Sequence, residues 1–169
     1  LIAEVGEPSA DELARAEAIV GECTSGDAEG GLTEIVIDSS AVTRFAERRS
    51  GAVGLITRFR ASGSWLPVVP SVVLVESLHG HPGKDGGVRQ FLNACRVLTR
   101  VDVGLARRAA ELRRRAGRGS AVDALVVATA EPGAVVLTSD LGDLLALAAY
   151  SDGVRVERIL VRLSTNFRT

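Results

Sequence analysis

The sequence predicts an α/β fold: three layers, α/β/α, around a central and mostly parallel sheet. Two observations carry that expectation. Short strand-forming runs alternate with segments of helical length along residues 34–159, the pattern of strands joined by crossover helices and covered on both faces. The chain has 169 residues and is 46% hydrophobic, rich in Val, Leu and Ala. That is enough apolar material for one cored domain and a short appendage.

The appendage comes first. Residues 9–22, SADELARAEAIVGE, read as a helix. Ser9 caps it, Glu12 completes a capping box, and Leu13, Ala16, Ile19 and Val20 form a short apolar stripe. Gly, Ser and Asp mark 23–31 as a linker. The body, 32–169, opens with a strand at 34–38. Residues 41–62 read as helix in two pieces, broken near Ser50-Gly51. WLPVV, 65–69, is a short strand in spite of Pro67. Residues 71–80 begin behind Pro70 and stop at Gly80, which makes them a helix despite their valines. HPGKDGG reads as a loop and 88–94 as a short helix. There follow a strand at 96–101, an amphipathic helix at 102–117 stopped by Gly117, and a helix at 120–133 ended by Pro132-Gly133. A strand at 134–139, a helix at 140–150 and a closing strand at 154–159 complete the body.

Composition excludes much. No apolar run approaches the roughly 20 residues of a membrane span. The acidic N-terminus lacks the basic and apolar stretches of a signal peptide, so a cytoplasmic protein is expected. Cys23 and Cys95 stand without further cysteines or a nearby His, which argues against a zinc site or a disulfide scaffold. The chain has no Met and begins at Leu1, so it is not expected to start where translation starts. The net charge of −1 conceals an asymmetry: residues 1–31 hold eight acids against the single base Arg15, leaving the body net basic. A basic body fits a polyanionic partner with which an acidic arm would compete. A solvated helix beside an ordinary surface explains the same charges.

Sheets of this kind bind ligands beyond the carboxyl ends of their strands, and acids fall at such places. Asp38 ends the first strand in IVIDSSAV, where DSSAV lacks the glycines of a nucleotide-binding turn. Glu76 lies in SVVLVESLHG with Val72 and Val73 as its i−4 and i−3 neighbours, so its helix face is apolar and the carboxylate wants a partner. Asp123 stands in the first turn of SAVDALVVATA, where Ser120 and Asp123 also match a capping box. Asp140 follows VVLTS, with Asp143 close behind. Taken singly, each acid is explained as a cap, a turn former or a solvated charge.

Taken together, Asp38, Glu76, Asp123 and Asp140 can converge on one edge of the sheet. Clustered carboxylates repel and raise one another's pKa, so divalent cations are the natural company for them. Oxygen-only ligation favours Mg²⁺ or Mn²⁺, and such an ion suits phosphodiester hydrolysis. In this reading Asp38 and Asp123 are direct ligands. Glu76 is a ligand or water-orienting base, and Asp140 a second-metal or water-mediated ligand. Ser40 and Thr138 hydrogen-bond the acids.

In this order the segments IVIDSSAV, SVVLVESLHG, SAVDALVVATA and VVLTSDLGDL resemble the PIN-domain ribonucleases, most of all the VapC-type toxins of bacterial toxin–antitoxin pairs, over residues 34–159. The resemblance implies a PIN-like α/β/α fold and a Mg²⁺- or Mn²⁺-dependent endoribonuclease. Such enzymes are usually homodimers that cut tRNA or rRNA and are restrained by a cognate antitoxin. The resemblance also implies that Asp38, Glu76, Asp123 and Asp140 are the family's four acids in order; it gives Asp143 no secure role. These toxins normally begin near the position of Thr33. Residues 1–31 look like the carboxyl-terminal part of an antitoxin joined to the body, or else are a native extension packing its stripe on it.

Arginines supply the substrate side. Arg48, Arg49, Arg58 and Arg60 fall in the early helices, and Arg107, Arg108, Arg113, Arg114, Arg115 and Arg118 crowd one later helix and its end. Arg suits bidentate phosphate contact. Arg114, Arg115 and Arg118 lie just ahead of Asp123 and are the candidate contacts to RNA phosphates. A solubilising helix face is the plainer alternative. Aromatics are scarce, so a folded RNA read through shape and phosphates fits better than a stacked single strand. His79 and His81 flank Gly80 and read as caps of a helix C-terminus rather than a metal pair. Competing functions are a PIN nuclease of RNA maturation and a catalytically silent interaction module. A phosphate-sensing receiver is disfavoured because the only Lys, Lys84, falls in a loop, and a haloacid-dehalogenase-like phosphatase because Ser40 stands where it needs an acid.

Overall fold

The computed structural model describes residues 34–159 apart from 48–49, 62 and 64–65, together with Ala10, Ala14 and Glu17. The strands are β1 (Ile35–Ile37), β2 (Val68–Pro70), β3 (Arg96–Leu98), β4 (Val135–Thr138) and β5 (Arg155–Arg158). They form one sheet in the order β3-β2-β1-β4-β5, and every pairing is parallel. Helices cover both sides, giving the expected α/β fold.

The pattern of burial follows from that arrangement. The three inner strands are buried along their whole length, with Ile35, Val36, Ile37, Val68, Val69, Val135, Val136 and Leu137 all essentially inaccessible. A central parallel strand has helices against both faces, so it is apolar at every position rather than at alternate ones. The edge strands β3 and β5 are only partly covered and carry Arg96, Arg155 and Arg158; charge on an edge discourages pairing with another chain.

The helices are α1 (Ser39–Ala46), α2 (Ser50–Ala61), α3 (Val73–Ser77), α4 (Pro82–Leu92), α5 (Val103–Ala116), α6 (Ala121–Thr129) and α7 (Gly142–Ala148). The break expected near Ser50 separates α1 from α2, but α1 begins at Ser39, two residues earlier than the sequence implies. Helix α5 ends as expected, with Gly117 left-handed at φ 67°. Helix α6 stops at Thr129, before Pro132-Gly133.

Two expectations are corrected. Helix α3 is five residues long rather than ten: Leu78 turns to an extended ψ of 136°, which ends it. The expected loop HPGKDGG is instead the start of α4. Pro82 occupies the first helical position, where its missing N–H costs nothing, and His81 Nδ1 accepts from Gly83 N at 3.2 Å. His81 therefore caps a helix N-terminus, not a C-terminus. Asp85, fully buried, accepts from His79 N at 2.8 Å and His81 N at 3.0 Å. These bonds hold its carboxyl below the usual carboxylate range, led by the one from His79. Phe91 of α4 stacks on Phe45 of α1 with ring centroids 5.1 Å apart, which fastens the α4 layer to the core.

Most of the expected 9–22 helix, and the linker at 23–31, lie outside the described residues. Ala10, Ala14 and Glu17 are helical, and Glu17 forms an ion pair with Arg58 of α2. Among the described residues no helix is long and apolar enough to cross a membrane.

Candidate active site

The sheet order fixes where a ligand goes. The chain builds β1, β2 and β3 in one direction and then returns to place β4 and β5 on the other side of β1. The strand order therefore reverses between β1 and β4, and a crevice opens there beyond their carboxyl ends. Asp38 follows β1 directly and Asp140 lies two residues beyond β4. Both line a cavity of about 320 Å³ together with Ser39, Ser40, Asp123, Asp143 and Arg118.

Asp38 is the anchor of this cavity. It caps α1, accepting from Ala41 N at 2.8 Å. Ser40 Oγ lies 3.1 and 3.0 Å from its two carboxylate oxygens, and Thr138 Oγ1 donates to Oδ2 at 2.8 Å. The hydroxyls are themselves fixed: Ser139 N donates to Ser40 Oγ at 2.8 Å and Asp140 N to Thr138 Oγ1 at 2.9 Å. Asp38 is only 6% exposed. Burial pushes its carboxyl up to about 6, and the charge of Asp123 adds to the rise, while the bonds from Ala41, Thr138 and Ser40 oppose it. The folded protein thus holds a carboxylate that is hydrogen-bonded but short of positive charge.

The other acids are held by local structure. Asp123 completes a capping box on α6: Ser120 N donates to its Oδ2 at 2.8 Å, and its own N–H donates to Ser120 Oγ at 3.0 Å. That leaves Oδ1 without a hydrogen bond among the described residues. Asp140 Oδ1 accepts from Gly142 N at 3.2 Å, closing the turn into α7. Glu76, on α3, does not line the cavity; it reaches it through Ser39, whose Oγ donates to Glu76 Oε2 at 2.7 Å. Asp143 lines the cavity and is paired with Arg118.

The arginines divide. Arg113, Arg114 and Arg118 line a second, basic cavity of about 550 Å³ with Gly117 and Gly119. Arg115 is not part of it; its guanidinium lies 4.9 Å over the Tyr150 ring and 3.8 Å from Glu111. Arg108 belongs to a structural clip, with Nε and Nη2 on Glu131 at 2.8 and 2.7 Å. Two contacts were invisible in the sequence. Arg113 braces the turn after α5 through Gly119 O at 3.2 Å, and Ser39 partners Glu76 across 37 residues.

Among the described residues no three Asp, Glu, His or Cys side chains stand close enough to hold a metal ion by themselves. Mg²⁺ does not require such a cage. It keeps several waters and binds through one or two carboxylates plus phosphate oxygens. The donor set at the crevice is carboxylate and hydroxyl oxygen around a desolvated Asp38, and it fits a hard divalent ion whose shell is completed by water and substrate.

A family model described as the PIN domain matches residues 35–148, from β1 to the end of α7. A search of curated proteins gives no match. PIN domains are typically nucleases that depend on divalent metal ions. The match spans well over half the chain and contains every acid of the crevice: the chain belongs to the PIN-domain family.

Proposed function

We propose that this protein is a metal-dependent endoribonuclease that hydrolyses RNA phosphodiester bonds with Mg²⁺ or Mn²⁺. The observation that carries this reading is the cavity at the β1/β4 crevice, where Asp38, Asp123, Asp140 and Asp143 face one space with Arg118. Asp38, Asp123 and Asp140 are the residues that would hold the ion, with Glu76 at the rim. When bound, the ion would stabilise charge on the phosphate and make an attacking water more acidic. The chain's own residues do the rest. Ser40 and Thr138 fix the orientation of Asp38, Ser39 links Glu76 to the cavity, and burial takes the Asp38 carboxylate out of water, which strengthens its attraction to a cation.

The family resemblance narrows the role to a toxin that cuts tRNA or rRNA, acts as a homodimer and is restrained by a cognate antitoxin. The acidic character of residues 1–31 and the Glu17–Arg58 ion pair support a restraining arm that competes with RNA for the basic body. A nuclease of RNA maturation is the alternative, and profiling of cleaved cellular RNAs separates the two. The deciding experiment is cleavage of labelled tRNA and rRNA with Mg²⁺, with Mn²⁺ and with EDTA, by the intact chain and by a chain beginning at Thr33. Cleavage that needs the ion and is faster in the shorter chain is expected. Cleavage unaffected by EDTA sinks the metal reading, and equal rates in the two chains sink the restraining arm.

A further inference from the structure

Arg118 lines both cavities, the carboxylate one and the basic one. Among the described residues it is the one cation lining the carboxylate cavity. Its position is imposed by the backbone: Gly117 and Gly119 on either side take φ of 67° and 92°, a region that side-chain-bearing residues rarely adopt. At Gly119 a Cβ would also stand 2.7 Å from Leu147 Cδ1. The two glycines thus turn the chain sharply between α5 and α6 and set Arg118 at the boundary of the two spaces.

Asp143 then fixes the side chain. Its Oδ1 takes Arg118 Nε at 2.6 Å and Nη2 at 2.5 Å. One edge of the guanidinium fork is thereby occupied by a carboxylate. That edge is the one that would otherwise offer two parallel N–H groups to a phosphate. Beside it, the Arg114 side chain makes no hydrogen bond or ion pair among the described residues and lines the same basic cavity.

We propose that Arg118 is a phosphate-positioning residue for RNA, and that Asp143 competes with the phosphate for it, so that the Arg118–Asp143 pair sets how tightly RNA is held. This rests on the ribonuclease reading. A strand whose scissile phosphate enters the carboxylate cavity carries a flanking phosphate past Arg118 into the basic cavity. There Arg113, Arg114 and Arg118 surround it. The phosphate takes the fork from Asp143, and Asp143 is released toward the ion-binding acids.

The test is fluorescence anisotropy of a labelled RNA stem-loop in EDTA, which prevents cleavage, over a range of KCl concentrations. It uses full-length wild type, Arg118→Ala, Asp143→Asn and the double variant. The side chains are 57% and 42% exposed and outside the apolar core, so the variants are expected to fold, and thermal melts check this. Arg118→Ala should weaken binding about tenfold and lower the salt slope by about one. Asp143→Asn should tighten binding severalfold with Arg118 present and leave it unchanged without. Equal tightening in both backgrounds would show a bare charge effect and overturn the proposal, as would wild-type affinity in Arg118→Ala. If neither wild type nor a chain beginning at Thr33 binds RNA, in EDTA or with Ca²⁺ in its place, the ribonuclease reading falls and takes this inference with it.

Discussion

Replacing Asp38 by Asn should make the protein more stable while abolishing cleavage. Burial raises the Asp38 carboxyl from 3.8 to about 6, so between those values the folded state holds the proton more firmly than the unfolded state. The sign follows from linkage: stability falls as pH rises through this window and levels off above it. A shift of roughly 2 units at about 1.4 kcal/mol each gives about 3 kcal/mol of destabilisation at pH 8. Asn removes that charge and keeps the local bonds. It caps helices as well as Asp does, so Ala41 N retains its acceptor. Its amide can donate to Thr138 Oγ1, which can turn its own hydrogen to the Asp140 carbonyl 2.9 Å away.

Urea unfolding in EDTA at pH 8 should therefore show Asp38→Asn more stable by about 2–3 kcal/mol, with the difference closing near pH 4. Adding Mg²⁺ or Mn²⁺ should reverse the comparison. A ligand at 100 times its Kd adds about 2.7 kcal/mol to the form that binds it, and wild type should gain far more than the variant. A variant less stable than wild type at pH 8 without metal would refute the reasoning. It would mean that the ionised carboxylate is a net structural asset held by its cap and hydroxyl partners, and that no cation is needed to explain it.

Other consequences are accessible to single measurements. Gly119→Ala forces a side chain into φ 92° and against Leu147; it should cost about 1–3 kcal/mol in urea unfolding and weaken RNA binding by displacing Arg118. Glu131→Ala removes the acceptor of both Arg108 and Asp152 N. It should destabilise by about 1–3 kcal/mol without changing the RNA affinity of the folded fraction. Cys95 is desolvated and its thiol is pushed up to about 12, so peptide-resolved alkylation at pH 8 should find it nearly inert until urea unfolds the domain.

The order of elements was legible because parallel-sheet strands and their crossover helices differ in apolar pattern and in punctuation. Gly117 and Ser120 mark helix ends by local chemistry alone, and the structure uses both as caps. The α3–α4 region was misread for the opposite reason. Three glycines between His81 and Val88 signal a loop, yet Asp85 collects the N–H groups of His79 and His81, and Phe91 is held by Phe45. The Asp85 bonds are local and the Phe91–Phe45 stack is tertiary; together they outweigh the low helix propensity of the glycines, and the stack cannot be read from the segment alone.

For the acids, the sequence posed a false choice between capping and function. Asp123 closes a capping box with Oδ2 and still faces the cavity with its other oxygen. Asp38 caps α1 and is the most buried acid of the crevice. For Asp38 the cause is the topology: β1 ends at the β1/β4 reversal and passes straight into α1, so the residue at the junction caps that helix and lies at the ligand crevice at once. Asp123 comes to the same crevice from the first turn of α6, the helix that leads into β4. Thr138 reaches Asp38 across 100 residues of sequence because β4 pairs with β1 in register, Ile37 beside Leu137. No local signal specifies that meeting; the reversal of strand order does. The Arg118–Asp143 pair is the same kind of product, formed where the turn after α5 meets the turn into α7. Shifting β4 by one residue against β1 would separate Asp38 from Thr138 and the Asp140 turn, leaving each cap intact and the cavity undone.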